Sequence, residues 1–111
     1  MPFEIFQSEN NSKFYFRLKA GNGEVILQSQ AYEAKAGADN GIQSVINHVS
    51  DDANFERKKA TNGQDFFSLK AGNGLIIGKS EMYKSSAAME NGIQSVKKNA
   101  AVDAVIKDLT A

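Results

Sequence analysis

Two stretches of this sequence occur twice, and in both cases the second copy lies 51 positions after the first. Leu18–Gly23 returns unchanged as Leu69–Gly74, and Asn40–Val45 returns unchanged as Asn91–Val96. Over the thirty positions from Phe16 onward, 17 pairs are identical, whereas about two would be expected from average composition. The chain is therefore one structural unit repeated in tandem.

The length predicts that the two repeats share one core. The chain has 111 residues, and a unit of about fifty residues is near the lower limit for burying an adequate core of its own. We therefore predict a single domain, 1–111, built from repeats 1–53 and 54–111. Because the tandem copy supplies what a second subunit would, we also predict a monomer.

Composition limits the classes of partner. The 13 basic and 13 acidic residues cancel, so no overall field draws the molecule to nucleic acid or anionic lipid. The chain has no cysteine, which excludes a disulfide framework and thiolate metal sites and fits a reducing compartment. It carries neither a signal-peptide pattern nor a run of 18 apolar residues. These features predict a cytoplasmic protein that does not enter the membrane.

The alternation of apolar and polar residues predicts three strands at the start of each repeat. In the first repeat the Asn22-Gly23 pair predicts a type I′ turn, because both residues tolerate positive φ. The predicted strands are Phe3–Phe6, Phe14–Ala20 and Glu24–Ser29 in the first repeat, and Phe55–Lys59, Phe66–Ala71 and Leu75–Ser80 in the second.

A type I′ turn also fixes the register of the hairpin. Leu18 should face Leu27, and Ala20 should face Val25. These four residues and Phe16 would form one apolar face, with their polar neighbours pointing to the other side. The pattern predicts an antiparallel sheet covered on one side.

A helix in each repeat should provide that cover. Apolar residues at helical spacing predict a helix over about Ala34–Val49, and the same stripe returns in the second repeat. Ser85 is placed to cap the second helix. Gly41 and Gly92 cost about 1 kcal/mol each inside a helix, so we expect them to allow close approach to the sheet. The predicted core residues are Phe16, Leu18, Leu27, Ile42, Val45, Phe67, Leu69, Ile93 and Val96.

The C-terminal segment, 104–110, fits two structures. The spacing of Val102, Val105, Ile106 and Leu109 fits a helix face. The repeat alignment instead places Val105-Ile106 opposite Asn54-Phe55, a strand position. We predict a strand, because the alignment is independent of periodicity and because a third copy of the first strand could pair with the other half.

The sequence resembles the YegP-like family of small bacterial proteins, through the Lys19–Gly23 and Lys70–Gly74 hairpins and the Glu90–Val96 helix segment. Asp39 replaces the glutamate in the first copy. The resemblance covers nearly the whole chain. It implies an α+β fold in which two β-β-β-α(-β) repeats form one pseudo-two-fold domain, with an antiparallel sheet, two covering helices and an exchanged C-terminal strand. The family is one of unknown function, so the resemblance implies no activity.

The residue patterns predict no catalytic, metal or cofactor site. The Gly21–Gly23 loop precedes a strand rather than the helix that a phosphate loop needs. His48, the one histidine, has neither further ligands nor a serine and acid at suitable spacing. Lys19 and Lys70 are expected to be solvated, and Asp51, Asp52 and Asp103 read as loop residues.

A basic cluster offers one weak alternative. Arg57, Lys58 and Lys59, with Lys97 and Lys98, could neutralise a single nucleic-acid strand. A solvated sheet edge whose charges discourage association is the preferred interpretation.

Two polar triplets define the candidate interaction surface. They lie on the helix sides away from the apolar stripe and suit a protein or a small polar ligand, since neutral amides and hydroxyls recognise by hydrogen bonds. We predict a non-enzymatic binding module; the alternatives are a small-molecule binder or small enzyme with a cleft between the repeats, or a weak nucleic-acid binder. The triplet residues are Asn40, Gln43, Ser44, Asn91, Gln94 and Ser95.

Overall fold

The computed structural model describes residues 3–101 and 104–110. Its elements, in chain order, are β1 (Phe3–Gln7), β2 (Phe14–Lys19), β3 (Val25–Ser29), α1 (Lys35–His48), a 3-10 turn (Asp52–Asn54), β4 (Phe55–Lys59), β5 (Asp65–Lys70), β6 (Ile76–Lys79), α2 (Ser86–Asn99) and β7 (Ile106–Asp108). Each repeat therefore supplies three strands and one helix, and β7 is the additional strand at the end of the chain.

All seven strands belong to one sheet, in the order β4-β5-β6-β3-β2-β1-β7. The two repeats join at the centre, where β3 pairs with β6. Neighbouring strands are antiparallel except for β7, which lies parallel to β1. This arrangement confirms the predicted α+β fold with two equivalent halves. The exchange of the C-terminal strand occurs once: β7 leaves the second repeat and pairs with the first.

One hydrophobic core runs through both repeats. The helix α1 packs on β2 and also on β6, and α2 packs on β5 and also on β3, so each helix contacts strands of both halves. The predicted core residues are all fully buried within one cluster: Phe16, Leu18, Leu27, Ile42, Val45, Phe67, Leu69, Ile93 and Val96.

The predicted type I′ turn is wrong. Gly23 has a φ of 86°, but Asn22 is not among the residues with positive φ. The Gly23 amide donates to the Ala20 carbonyl, and the Ala20 amide donates to Glu24. This is a three-residue loop in which a type I turn is followed by a left-handed glycine. The Asn22 side chain stabilises it by accepting from the Glu24 amide at 3.0 Å.

The longer loop changes the register that the turn type had predicted. Leu18 does face Leu27, but Val25 pairs with Lys19 rather than with Ala20. The pairing shifts by one residue between Leu18 and Lys19, because the left-handed glycine adds a bulge to the hairpin. The same shift recurs between Leu69 and Lys70 in the second repeat.

The helix predictions are confirmed in both repeats. Ser85 caps α2, since its hydroxyl accepts from the Ala88 amide at 3.1 Å. A Cβ added to Gly41 would lie 2.5 Å from the Tyr32 hydroxyl and 2.6 Å from the Phe16 ring. A Cβ on Gly92 would meet the Tyr83 hydroxyl in the same way. Both glycines therefore permit close contact between the helices and aromatic side chains.

The C-terminal segment forms the predicted strand. Ile106 pairs with Phe3, and Asp108 pairs with Ile5. The Leu109 amide donates to the Ile5 carbonyl at 2.8 Å. Two residues named in the predictions for this region, Val102 and Asp103, lie outside the described residues. The strand covers the outer edge of the first repeat and ties the end of the chain to its beginning.

Candidate functional site

The two predicted polar triplets lie on the outer sides of the helices. Asn40, Gln43, Asn91 and Gln94 are exposed, and the two serines are half-buried. The triplets sit on different helices, and neither of the two clefts found in the described part of the chain is lined by residues of both. Of the six residues, Ser44 lines a cleft.

That cleft lies between the repeats, and we call it the inter-repeat cleft. It has a volume of about 290 Å³. The α1 side belongs to the first repeat and the β5–β6 hairpin belongs to the second. None of the residues that line it carries a charge, so its chemistry is apolar with a few neutral polar groups. They are Gln30, Tyr32, Gly41, Ser44, Ala71, Asn73, Leu75, Ile76 and Ile77.

Tyr32 is one of the residues that line this cleft. Its ring stacks on Phe16 with centroids 6.3 Å apart, and its backbone pairs with Phe14 in both directions. These contacts hold its hydroxyl beneath Gly41. Burial raises the pKa of Tyr32, so the phenol stays protonated. Among the described residues none forms a hydrogen bond with that hydroxyl, which leaves it free to donate into the cleft.

His48 joins the two walls of the cleft. Its Nδ1 lies 2.7 Å from the Ser44 carbonyl oxygen, which only accepts, so Nδ1 carries the proton. The Gly72 amide then donates to Nε2 at 3.2 Å. The imidazole thus connects the end of α1 to the turn of the β5–β6 hairpin. Sequence analysis assigned no such role to His48, because its partner is a backbone amide in the other repeat.

A second depression, the axial groove, lies where the repeats meet at β3 and β6. It has a volume of about 270 Å³ and is lined by three pairs of residues that are equivalent in the two repeats. The buried Ser29 and Ser80 hydroxyls at its base accept from the Phe16 and Phe67 amides. They also donate to neighbouring carbonyls. These hydroxyls are therefore occupied in holding the sheet. The lining residues are Gln28, Ser29, Gln30, Lys79, Ser80 and Glu81.

Four of the five basic side chains in the cluster contact carboxylates. Arg57 binds Glu90 at 2.7 Å and Asp52 at 3.1 Å, and Lys97 binds Asp52 at 3.0 Å. Two further contacts pair Lys58 with Glu56 at 2.8 Å and Lys59 with Asp65 at 3.0 Å. These pairs favour the preferred interpretation, a charged sheet edge, over a surface for nucleic acid.

Three further candidate charges have structural partners as well. Lys19 contacts Glu4 at 3.3 Å, and Lys70 contacts Glu56 at 2.9 Å. The Asp51 side chain caps the 3-10 turn by accepting from the Ala53 amide. Over residues 3–101 and 104–110, no group of three acidic or histidine side chains is arranged to hold a metal ion. In the same residues no helix has the length and apolar character to cross a membrane.

The two repeats match a known family in succession. The domain of unknown function DUF1508 matches residues 9–56 and again residues 60–107. The chain belongs to this family.

Relatives of similar length agree with that assignment. A UPF0339 protein of Acinetobacter baylyi is 49% identical over 97% of this chain and 96% of its own length. The UPF0339 protein YegP of Escherichia coli O157:H7 is 47% identical over the same shares. The solution structure of a UPF0339 protein from Shewanella oneidensis superposes with a TM-score of 0.89, at 48% identity, covering 98% of this chain and 92% of that one. The resemblance to YegP-like proteins is thus confirmed, and with it an unknown function.

Sequence analysis did not identify two residues of the inter-repeat cleft, Tyr32 and Leu75. Tyr32 is conspicuous only because it is identical to Tyr83 outside both repeated strings. Leu75 is conspicuous because it follows an identical turn yet differs from Glu24, its counterpart in the first repeat. Comparison of the repeats position by position was the signal that could have found both.

Proposed function

We propose that this protein is a non-enzymatic binding module that holds a small uncharged ligand in the inter-repeat cleft. The observation that carries the proposal is a cleft without a charged lining residue, into which Tyr32 directs a free phenolic hydroxyl. Tyr32 is half-buried, and its accessible hydroxyl can donate to a ligand that brings an acceptor. The cleft also lies between the repeats, where the sequence placed its small-molecule alternative.

The size and lining of the cleft support a small ligand. Its volume of about 290 Å³ is at the lower end of typical ligand pockets. One wall is apolar, through Leu75 and Ile76, while Tyr32 and Ser44 offer hydroxyl groups on the other. This combination suits an apolar group that carries a carbonyl oxygen, such as a neutral amide.

In this proposal the polar triplet of α1 extends the binding surface beyond the cleft. Asn40 lies four residues before Ser44 and is therefore its neighbour on the helix surface. With Gln43 it would contact portions of the ligand that extend from the cleft. The second triplet, Asn91, Gln94 and Ser95, lies at the equivalent positions on α2. We propose that the module acts as a cytoplasmic monomer.

An NMR titration tests the proposal. The ¹⁵N-labelled protein is titrated with three uncharged amides: N-acetyl-L-phenylalaninamide, N-acetyl-L-leucinamide and benzamide. We expect saturable shifts at the amides of Gly41, Ser44 and Asn73. Tyr32→Phe should weaken binding several-fold, and Tyr83→Phe, the matched control, should leave it unchanged. The absence of saturable shifts with all three amides would contradict the proposal.

A further inference from the structure

We infer that the residue after each Ala-Gly-Asn-Gly turn decides what the surface beside it can bind. Leu75 makes the inter-repeat cleft specific for an uncharged ligand with an apolar group. Glu24 excludes the same ligand from the equivalent place beside α2. The inference rests on the proposed function and deepens it, because it names the ligand class and the residues that select it.

The surface beside α1 and the surface beside α2 are formed by corresponding elements of the two repeats. The β5–β6 hairpin packs against α1, and the β2–β3 hairpin packs against α2. Tyr32 and Tyr83 lie at equivalent positions, each stacked on a core phenylalanine and each touching a helix glycine. The turns themselves are identical in sequence. Leu75 and Glu24 therefore stand at the first position after the turn, where the two sequences diverge again.

Leu75 is exposed to an unusual degree for a leucine. Its relative accessibility is 68%, and that of Ile76 is 37%. Both residues line the inter-repeat cleft, so a ligand seated there would cover part of both. Removing this apolar surface from water would favour binding, roughly in proportion to the area covered.

The second place carries acidic groups instead. Glu24 and Glu81 occupy the positions that Leu75 and Gln30 hold in the other repeat pairing. Burial raises the pKa of Tyr83, and the charges of Glu24 and Glu81 raise it further. For Tyr32 burial is the cause, without a carboxylate. Gln30 replaces Glu81 in the inter-repeat cleft. Both differences, Leu75 against Glu24 and Gln30 against Glu81, make the surface beside α1 neutral and the surface beside α2 acidic.

Charge explains why the acidic place rejects the ligand of the neutral one. An uncharged apolar group that docked beside Glu24 would remove water from a carboxylate without replacing its hydrogen bonds. Beside Leu75 the same group would displace water from apolar surface, which is favourable. One ligand per chain is therefore expected, despite two copies of the scaffold.

Exchanging the selecting residues tests this directly. The probe is N-acetyl-L-phenylalaninamide, and binding is followed through the ¹⁵N amides on both sides of the molecule. Leu75→Glu should weaken binding at the Gly41 and Ser44 amides about tenfold. The double variant Glu24→Leu/Glu81→Gln should add a second site, seen at the Gly92 and Ser95 amides. The replaced side chains at Leu75, Glu24 and Glu81 are exposed, so the fold should be kept, and the amide spectrum verifies it.

The outcomes separate this inference from the proposed function. If the unmodified protein binds none of the three amides, the proposed function fails and this inference fails with it. If it binds but Leu75→Glu binds equally well, the selection by this residue is wrong and the proposed function stands. If the double variant shows no shifts at Gly92 and Ser95, the claim that acidic groups alone close the second place is wrong.

Discussion

The two outer edges of the sheet are built from equivalent strands but are covered in different ways. In the first repeat Ile5 pairs with Phe16, is 2% exposed, and is covered by β7. In the second repeat Arg57 holds the equivalent position opposite Phe67. Around it lies what we call the edge ion cluster, in which Arg57 contacts Asp52 and Glu90, and Lys97 contacts Asp52.

This difference shows how one unit was adapted to two positions. The first edge keeps apolar residues and receives the C-terminal strand. The second edge has no strand beyond β4 in the described part of the chain, and charged side chains cover it instead. The Lys97 ammonium lies 5.5 Å from the centre of the Phe55 ring and shields it. Charges on an outer strand also oppose pairing with other molecules.

The largest expected effect tests whether the halves are equal in the core. Phe16→Ala and Phe67→Ala each remove a fully buried ring, and each should lower the free energy of unfolding by about 3–5 kcal/mol. Urea unfolding measures both. Because one core serves both halves, the two values should agree within about 1 kcal/mol. If one variant loses less than half as much unfolding free energy as the other, the two halves do not contribute equally to the core.

A smaller loss is expected at the covered edge. Ile106 is half-buried against the core, and Ile106→Ala should cost about 1–2 kcal/mol of unfolding free energy through lost apolar contact. Hydrogen exchange should accelerate for amides of β1, where β7 binds. Lys107→Ala, on the exposed side of the same strand, is the control and should change stability by less than about 0.5 kcal/mol. Equal effects of the two variants would show that β7 does not cover the edge.

The histidine contact should distinguish the two hairpin turns. Gly72 donates to His48 Nε2, whereas Asn99, the equivalent of His48, is bonded to Ser95 within its own helix. We expect the Gly72 amide to exchange more slowly than the Gly21 amide. His48→Asn should abolish that difference and cost about 1 kcal/mol of unfolding free energy. Unchanged protection of Gly72 in the variant would refute the contact.

The smallest effect concerns the edge ion cluster and its pH dependence. Hydrogen bonds and charge from Arg57 lower the pKa values of Asp52 and Glu90 below their ordinary 3.8 and 4.5. A carboxylate with a lowered folded pKa stabilises the fold above its ordinary pKa, and that contribution is lost as pH falls through the folded value. The urea midpoint should therefore be steady near pH 7 and decline below about pH 4.5.

Arg57→Ala measures how much the edge ion cluster contributes to the urea midpoint and to its decline in acid. The variant should lower the midpoint slightly at pH 7, less than Ile106→Ala does, because exposed ion pairs contribute little. It should also flatten the decline in acid. Lys98→Ala, which removes an exposed charge on α2, is the control. If the urea midpoint of Arg57→Ala falls as steeply in acid as that of the unmodified protein, the edge ion cluster does not cause the decline.

Repetition explains why most of the fold could be predicted. Each apolar stripe and strand appeared twice, so Ile42 and Ile93 supported the same helix and Leu18 and Leu69 the same strand. The alignment also decided the strand at Ile106, where periodicity alone allowed a helix. The turn was mispredicted because Asn-Gly suits two hairpin geometries, and the residues before it choose between them.

The candidate site was harder to predict, because it arises between the repeats. Tyr32, Leu75 and His48 come together only when the second hairpin packs on the first helix, a contact across about forty residues of sequence between Tyr32 and Leu75. The polar triplets could be identified because they repeat, whereas the specificity that we propose depends on Leu75 and Glu24, where the repeats differ. Ser44 is the one triplet residue that also lines the inter-repeat cleft.

Residue-resolved unfolding tests the central claim, that two repeats share one interior and neither is stable alone. Urea unfolding of the full chain is followed by NMR at the buried residues Phe16 and Leu18 in the first repeat and Phe67 and Leu69 in the second. We predict one cooperative transition with the same midpoint at all four. Separate midpoints for the two repeats would contradict the shared interior.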